Sequence, residues 1–485
     1  MGSILIKLLK LAVGTLLAFA VIFLGVRIYI SQQGAPLEPW HTFVPHELNA
    51  GEIDHADWDK YLEAENALFE EVRTGVTQRL DADEQVPANR YFEGSPVYPG
   101  HFAVDWNRSF IMEPEGAPVG AIVLLHGLTD SPYTLRHIAG SYREHGFVAV
   151  VPRLPGHGTV PAGLTGVEWE DWTAASRLAV REARRQVGPG RPLHIVGYSN
   201  GGALAMKYAL DAIDDPSLSR PDRIVLISPM IGVTEWARFA GFAGLPAIFP
   251  RFAKAAWLSI IPEFNPFKYN SFPVNGARQS SLLTRALQPR IARYAREGRL
   301  TDLAPILTFQ SLTDFTVSTQ AIVTALYDQL PDNGSELVVF DLNRHIRFGP
   351  LLRPGIETLL PNLLPDAPRR FRTTVVTNAS TGSVDMVERV TEAGTTQEQV
   401  RPLGLIYPDD VFSLSHVALP VPITDSLYGM TPDLSEDFGI HLGAIAVRGE
   451  QRTLIVSLDT LMRMQSNPFF PYMLQRIEEG MTPGQ

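Results

Sequence analysis

From residue 104 onward, short apolar runs alternate with stretches whose apolar positions recur at helical spacing. The apolar runs predict strands at residues 121–125, 148–152, 194–197, 224–227, 305–309 and 336–342. Helices are predicted to follow Pro132, Glu168 and Asn200. Continuous apolar strands that alternate with helices indicate a mostly parallel sheet buried on both faces. We therefore predict a doubly wound α/β fold, with its site beyond the carboxyl ends of the strands.

The connection between the strands near Ser228 and Pro305 is much longer than an ordinary loop and is rich in aromatic residues. One interpretation is a helical insertion with a small core of its own. The more specific hypothesis is a cap, residues 229–300, whose inner face holds an acyl chain, because ligand pockets are mainly apolar. The cap divides a predicted catalytic domain into residues 104–228 and 301–485.

The N-terminal pattern predicts a membrane segment. Residues 11–26 carry no charge, and the apolar stretch continues through Ile30 if Arg27 snorkels. Lys7 and Lys10 precede it, so we expect an uncleaved single-pass signal-anchor, residues 1–33. The catalytic domain then lies on the periplasmic side of a bacterial inner membrane, although Arg27 argues against this orientation. A cleaved signal peptide is the alternative.

Residues 34–103 are predicted to form a linker and an N-terminal arm. Apolar residues at helical spacing within residues 57–78 indicate an amphipathic helix in this arm, packed on the catalytic domain.

The pentapeptide Gly197-Tyr198-Ser199-Asn200-Gly201 lies between an apolar run and a helix-prone run. That context is typical of a nucleophile elbow, in which glycines allow a sharp turn from strand to helix. The motif alone is common by chance, and a plain loop serine is the alternative. Its flanking segments favour Ser199 as a nucleophile.

A serine nucleophile also needs N–H donors for the oxyanion that its attack creates. Asn200, directly after Ser199, offers one backbone N–H at a helix N-terminus. The loop His126-Gly127-Leu128 follows the first predicted strand, so we predict that Leu128 offers the second.

Three segments carry a resemblance to a known family: residues 123–132 (VLLHGLTDSP), residues 153–159 (RLPGHGT) and the Ser199 pentapeptide. Together they resemble the monoacylglycerol lipase and carboxylesterase branch of the α/β-hydrolase superfamily. The resemblance implies a catalytic triad in the order Ser…Asp…His, a lid and ester substrates. Relatives in the superfamily include peptidases, thioesterases and non-hydrolytic enzymes.

Asp314 follows the predicted strand at 305–309, where a triad aspartate leaves the sheet in this superfamily. Aspartate is also common as a helix cap at such a junction, and the two roles are compatible.

Two histidines compete for the role of base. His345 follows the last predicted strand at the spacing from Asp314 that short carboxylesterases imply. His416 lies in residues 413–420, Ser-Leu-Ser-His-Val-Ala-Leu-Pro, which resemble a segment of a longer, membrane-anchored bacterial group of α/β-hydrolases. That resemblance extends to residues 265–269 and 467–470. It favours His416 as the base and implies that residues 346–410 are an insertion.

Composition narrows the possible functions. A net charge of −11 disfavours nucleic acid as a partner, because phosphates attract basic surfaces. The chain has no cysteine, which excludes disulfides, thiol catalysis and zinc–thiolate sites. Its 12 histidines show no metal-ligand spacing, so we predict neither metal nor cofactor.

These patterns predict a membrane-anchored serine hydrolase that cleaves small carboxylic esters of acylglycerol or lysophospholipid type. The alternatives are a peptidase or thioesterase at the same site, or an inactive scaffold that keeps the fold to bind lipid or a partner.

Overall fold

A ten-stranded sheet forms the centre of the protein. The computed structural model describes residues 2–232, 245–345, 351–445, 455 and 457–481. The sheet has the order β1-β3-β2-β4-β5-β8-β9-β10-β11-β12, and β6 and β7 form a separate two-stranded ribbon. The strands are β1 Phe110–Met112, β2 Gly120–Leu125, β3 Phe147–Val151, β4 Leu193–Tyr198, β5 Arg223–Ile227, β6 Trp257–Ser259, β7 Phe272–Pro273, β8 Ile306–Ser311, β9 Glu336–Phe340, β10 Arg372–Asn378, β11 Asp385–Thr391 and β12 Glu398–Ile406.

Helices cover both faces of this sheet. The helices of the described residues are α1 Gly2–Gln33, α2 Pro39–Thr42, α3 Ala50–His55, α4 Trp58–Gly75, α5 Arg136–Glu144, α6 Trp169–Val187, α7 Asn200–Asp214, α8 Val274–Arg296, α9 Thr319–Ala325, α10 Leu359–Leu363, α11 Leu458–Met462 and α12 Phe470–Glu478. Along β2, Ala121 and Val123 join the core cluster that includes residues of α6 and α7, whereas Ile122 joins the cluster that includes residues of α5 and α12. Both faces of the strand are therefore buried, which explains its continuous apolar sequence.

The predicted α/β class and its central elements are confirmed. The strands from β2 to β5, with β8, β9 and β10, run parallel to one another. Each of the six predicted strands is present with shifted ends. The predicted arm helix is α4, which begins after Asp57 because the Asp57 side chain accepts a hydrogen bond from Lys60 N.

The stretch expected to be an insertion extends the sheet. Within residues 346–410, β10 pairs parallel with β9, and β11 and β12 continue antiparallel. Residues 346–350 lie outside the described residues. Beyond β12 the chain returns to the turn after β8, where His416 contacts Asp314, and Pro422 forms an isolated parallel bridge with Asn467. The domain boundaries given above stay predictions.

The described part of the predicted cap combines helical segments with a short ribbon. It contains 3₁₀ turns, the β6–β7 ribbon and the long helix α8. The short ribbon escaped the sequence pattern because two or three residues are too few to show alternation. Residues 233–244 of the cap, with Trp236, Phe239 and Phe242, lie outside the described residues.

Helix α1 is long and apolar enough, from Ile4 to Gln33, to cross a membrane. Its last turns contact the cap. The Arg27 guanidinium donates a hydrogen bond to the carbonyl oxygen of Trp257, and Lys254 Nζ donates one to Gly34 O over 3.0 Å. The end of α1 is thus fixed beside the β6–β7 ribbon.

Candidate active site

Ser199 occupies a strained turn between β4 and α7. Its backbone φ is +55° and ψ is −116°, a region that non-glycine residues rarely adopt. Ser199 N donates to Ile227 O over 2.9 Å, and Ser199 O accepts from Met230 N. A Cβ at Gly201 would overlap the carbonyl oxygen of Leu125, so only glycine allows this close approach. The local backbone therefore fixes the serine at the carboxyl edge of the sheet.

Two backbone N–H groups lie near this turn as the sequence suggested. Asn200 is the first residue of α7, and Leu128 lies in the loop after β2. Within the described residues, neither N–H donates a hydrogen bond to another protein group. The next residue, Thr129, has a positive φ of 62°, and its carbonyl accepts from Tyr269 N of the cap. Both N–H groups are therefore available to a bound group, and their role as oxyanion donors stays a prediction.

Asp314 lies in the turn after β8. Its Oδ1 accepts from Thr316 N at 2.7 Å and from Val317 N at 3.0 Å. Burial alone raises the pKa of this carboxyl, but His416 and these two N–H groups outweigh it and hold the pKa below its ordinary value. Asp314 is therefore ionised at neutral pH. The cap residue of α9 is Ser318, which accepts from Ala321 N, so Asp314 does not have the alternative role of capping that helix.

His416 contacts Asp314 directly. The His416 Nδ1 lies 2.8 Å from Asp314 Oδ2, and the ring is 4% exposed. Its ring centroid is 5.3 Å from that of Tyr198, the residue before Ser199. Ser199 and His416 line the same cavity, although no hydrogen bond between their side chains is formed among the described residues. Nucleophile–base bonds of this kind commonly tighten only when substrate binds.

The structure does not bring His345 to this site. His345 is half-buried beyond β9, and its backbone N donates to Asn343 Oδ1 over 3.1 Å. The side chain is not among those that line the cavity with Ser199. The position of His416 against Asp314 thus favours the second of the two sequence hypotheses, and the identity of the base stays a prediction.

Two other histidines near the site support the loops. His126 Nε2 accepts from Leu154 N at 3.0 Å, and His157 Nδ1 lies 3.0 Å from Pro155 O. Burial lowers the pKa of both rings, so they are neutral at ordinary pH. The part of the chain that the structure describes contains no group of three or more His, Asp or Glu side chains able to hold a metal ion.

A cavity of about 390 Å³ opens above Ser199. Its lining combines apolar and charged side chains: Leu128, Thr129, Asp130, Tyr198, Ser199, Met230, Lys268, Tyr269, Asn270, Phe272, Ala277, Ser280, Thr316, His416, Val417 and Arg463. The charged residues Asp130, Lys268 and Arg463 were not predicted as site residues. Lys268 lies in the 265–269 segment that carried part of the resemblance, whereas no sequence signal distinguishes Arg463.

A hydrogen bond joins the cap to the elbow. Ser280 of α8 donates its hydroxyl to Asn200 Oδ1 over 2.7 Å, and both side chains are buried. Asn200 is the residue whose backbone N–H is the predicted oxyanion donor. The position of the cap is therefore coupled to that donor.

A model of the alpha/beta hydrolase family matches residues 122–396, which is more than half of the chain. The chain belongs to the alpha/beta hydrolase family. The matched part of this hydrolase-family chain includes β2 to β5 with the Ser199 turn, and β8 with the Asp314 turn. The match ends before His416, so it gives no information on that residue.

Among curated proteins, the chain is similar to a thermostable monoacylglycerol lipase of Bacillus sp. (strain H-257), with 30% identity over 95 residues, 20% of this chain and 36% of that one. It is also similar to the magnesium-chelatase 30 kDa subunit of Rhodobacter capsulatus, with 26% identity over 187 residues, 37% of this chain and 55% of that one. The chain thus spans about a third to a half of the length of these relatives.

Among solved structures, a soluble variant of monoglyceride lipase from Saccharomyces cerevisiae is similar at 13% identity and a TM-score of 0.37, over 48% of this chain and 82% of that one.

Proposed function

We propose that this chain is a membrane-anchored serine hydrolase that cleaves carboxylic esters through an acyl-enzyme on Ser199. The observation that carries the proposal is that the strained Ser199 turn lines one cavity with His416, whose Nδ1 is paired with Asp314. A hydroxyl is a weak nucleophile at neutral pH, and a histidine oriented by a carboxylate is the usual means of activating it.

In the acylation step, His416 Nε2 accepts the proton of the Ser199 hydroxyl while Oγ attacks the ester carbonyl carbon. The carbonyl oxygen becomes negatively charged and accepts hydrogen bonds from Leu128 N and Asn200 N. When the carbon–oxygen bond to the alcohol breaks, the protonated His416 returns the proton to the departing oxygen. The alcohol leaves, and the acyl group stays on Ser199.

In the deacylation step, His416 removes a proton from a water molecule, which attacks the acyl carbonyl. Collapse of the second tetrahedral intermediate releases the carboxylic acid, and His416 returns the proton to Ser199 Oγ. Asp314 stays ionised throughout because its pKa is held below the ordinary value. It accepts the hydrogen bond from Nδ1–H of His416 and stabilises the imidazolium in both steps.

The lining of the cavity and the candidate membrane helix α1 both favour a lipid ester as substrate. Leu128, Met230, Phe272 and Val417 offer apolar surface for an acyl chain. The limited similarity to the Bacillus monoacylglycerol lipase agrees with an ester of glycerol. Helix α1 would hold this site at a membrane, where acylglycerols and lysophospholipids are found.

Labelling with a fluorophosphonate probe, followed by ester hydrolysis, tests the proposal. We expect the wild-type chain to be labelled, and Ser199→Ala to lose both labelling and ester turnover by at least about 10³-fold. Ser281→Ala is a suitable control, because its buried hydroxyl has no hydrogen-bond partner in the described structure.

A parallel series of oxygen esters, thioesters and aminoacyl amides with the same acyl groups determines the reaction class. Oxygen esters should give the highest kcat/KM. Preference for thioesters or amides would replace the esterase assignment. A wild-type chain that is folded but neither labelled nor active would instead indicate a scaffold.

A further inference from the structure

Lys268 brings a positive charge to the cavity of Ser199. Its side chain is mostly buried, yet its ammonium donates no hydrogen bond to the described residues. Its nearest carboxylate oxygen, Asp130 Oδ2, is 3.9 Å away, and the ring of Tyr428 lies 4.7 Å from Nζ. The backbone here is held in place, because Asn265 Oδ1 accepts from both Lys268 N and Tyr428 OH. The ammonium thus has free donors that face the cavity.

Arg463 adds a second positive charge to the same lining. It is exposed at the cavity, and its guanidinium donates to Thr316 Oγ1 over 3.2 Å. No carboxylate among the described residues forms a salt bridge with it. Arg463 and Lys268 thus line the same cavity. Burial lowers the pKa of Lys268, Asp130 opposes this effect, and the charge of Arg463 adds to it.

Asp130 does not satisfy both cations. Its Oδ1 accepts from Thr134 Oγ1 at 2.6 Å and from Ser131 N at 2.9 Å. Its Oδ2 is buried and has no hydrogen-bond partner among the described residues. The charged residues that line the cavity are thus two cations, Lys268 and Arg463, and one anion, Asp130. Charges as buried as those of Lys268 and Asp130 ordinarily have a close hydrogen-bond partner.

We infer that Lys268 and Arg463 bind an anionic group, a phosphate or a carboxylate, on the alcohol part of the ester substrate. This inference rests on the proposed esterase function. The acyl chain of such a substrate is apolar and fits the apolar lining, so a charged group belongs to the alcohol that leaves. Asp130 Oδ2 can accept a hydrogen bond from a hydroxyl of the same alcohol. The substrate class narrows to esters of hydroxylated, anionic alcohols.

Three soluble esters with one acyl chain test this inference: 1-butyrylglycerol, 1-butyrylglycerol 3-phosphate and the butyryl ester of glyceric acid, which carries a carboxylate. We expect the wild-type chain to hydrolyse at least one anionic ester with a kcat/KM about tenfold above that of the neutral ester, mainly through a lower KM. Comparison of the phosphate with the carboxylate ester identifies the anion.

The variants Lys268→Gln and Arg463→Gln should each reduce the ratio of anionic to neutral kcat/KM by about fivefold or more, since each removes one charged donor. Lys268→Arg should restore part of the ratio. Arg293→Gln, which removes an exposed cation of α8 outside the cavity, is the matched control. Because Arg463 is exposed, its variant tests the subsite even if Lys268→Gln does not fold.

A wild-type ratio of one or below, or a ratio that Lys268→Gln and Arg463→Gln leave unchanged, would overturn the inference while the esterase function stands. Absence of turnover of all three esters, together with absence of labelling at Ser199, would contradict the proposed function itself.

Discussion

The nucleophile and the base of the candidate site are held by different means. Ser199 directly follows β4, Leu128 lies in the loop after β2, and short-range backbone geometry positions both. His416 is 102 residues from its partner Asp314, and three additional strands lie between β9 and its loop. The first region is therefore defined locally, whereas the second depends on contacts between distant segments.

Several side chains secure the His416 loop. Ser311 Oγ donates to Leu414 O over 2.8 Å, and Asn343 Nδ2 donates to Val411 O over 2.9 Å. Farther along, the buried Asp425 accepts from Arg136 and from Tyr133, both of which follow the Leu128 loop. The C-terminal region is thus fixed to the segment that follows the Leu128 loop and to β8, the strand that precedes Asp314.

Separate alanine substitutions of the two candidate bases give the largest expected effect, a loss of kcat. They also test most directly whether the distant His416 segment completes the site. His416→Ala should reduce kcat by about 10³-fold or more, as loss of a triad member does. His345→Ala should stay within about threefold of wild type, because His345 does not line the cavity. Ester kinetics of both purified variants, with circular dichroism as the folding control, decide between them. An inactive His345 variant beside an active His416 variant would reverse the assignment and make the C-terminal region accessory.

This difference also determines what the sequence was able to predict. The strands, the Ser199 turn and the Leu128 loop have local signals, namely apolar runs, glycines and their order. The pairing of Asp314 with His416 has no local signal, because the intervening strands carry mixed apolar and polar patterns. Resemblance alone suggested His416. Lys268 and Arg463 escaped notice because a single cation on a loop is ordinary until the fold reveals its neighbours.

Removal of the Asp425 charge should give the next largest effect, a decrease in the free energy of unfolding. Asp425→Asn leaves the buried Arg136 without its closest carboxylate, and loss of one partner of a buried pair typically costs about 3–5 kcal/mol. Glu436→Gln is the matched control: Glu436 contacts the same arginine at 3.2 Å but is 34% exposed, so its loss should cost about 0.2–1 kcal/mol. Urea unfolding of both variants measures these free energies.

The contribution of Asp425 to the free energy of unfolding should depend on pH. Burial raises the pKa of Asp425, but Arg136 and His137 outweigh it and hold the pKa below its ordinary value. A carboxyl with a lowered folded pKa contributes stability above its unfolded pKa of about 3.9, and the contribution is lost as pH falls through the folded value. The stability difference between wild type and Asp425→Asn should therefore shrink below about pH 4. A difference that is the same at pH 3 and pH 7 would show that charge is not the cause.

A smaller loss of stability and activity is expected when the hydrogen bond between the cap and the Ser199 turn is removed. Ser280→Ala leaves Asn200 Oδ1 without its donor, and an unsatisfied buried acceptor costs about 1–3 kcal/mol. If this bond holds the cap against the elbow, kcat on a short soluble ester should fall by about threefold to thirtyfold. Ser281→Ala, at the next position of α8, removes a buried hydroxyl without a partner and should have little effect. Equal kinetics for the two variants would mean that the cap position does not influence Asn200.

Deletion of residues 1–33 should have the smallest effect on chemistry. All proposed catalytic residues lie in the sheet and its loops, whereas the hydrogen bonds that join α1 to the described part of the cap come from its last turns, at Arg27 and Gln32. The deletion removes the bond from Arg27 to the Trp257 carbonyl, whereas Lys254 keeps its partner Gly34. We expect a soluble chain whose kcat/KM on a short water-soluble ester is within about threefold of the detergent-solubilised full chain. Activity on long-chain esters in vesicles should fall more, because the deletion separates the site from the membrane.

Arg27→Ala in the full chain distinguishes loss of the cap contact from loss of the membrane helix: it removes the contact with the cap but keeps the helix. If this variant loses as much activity on the soluble ester as the deletion does, and that loss exceeds tenfold, α1 positions the cap as well as tethering the enzyme.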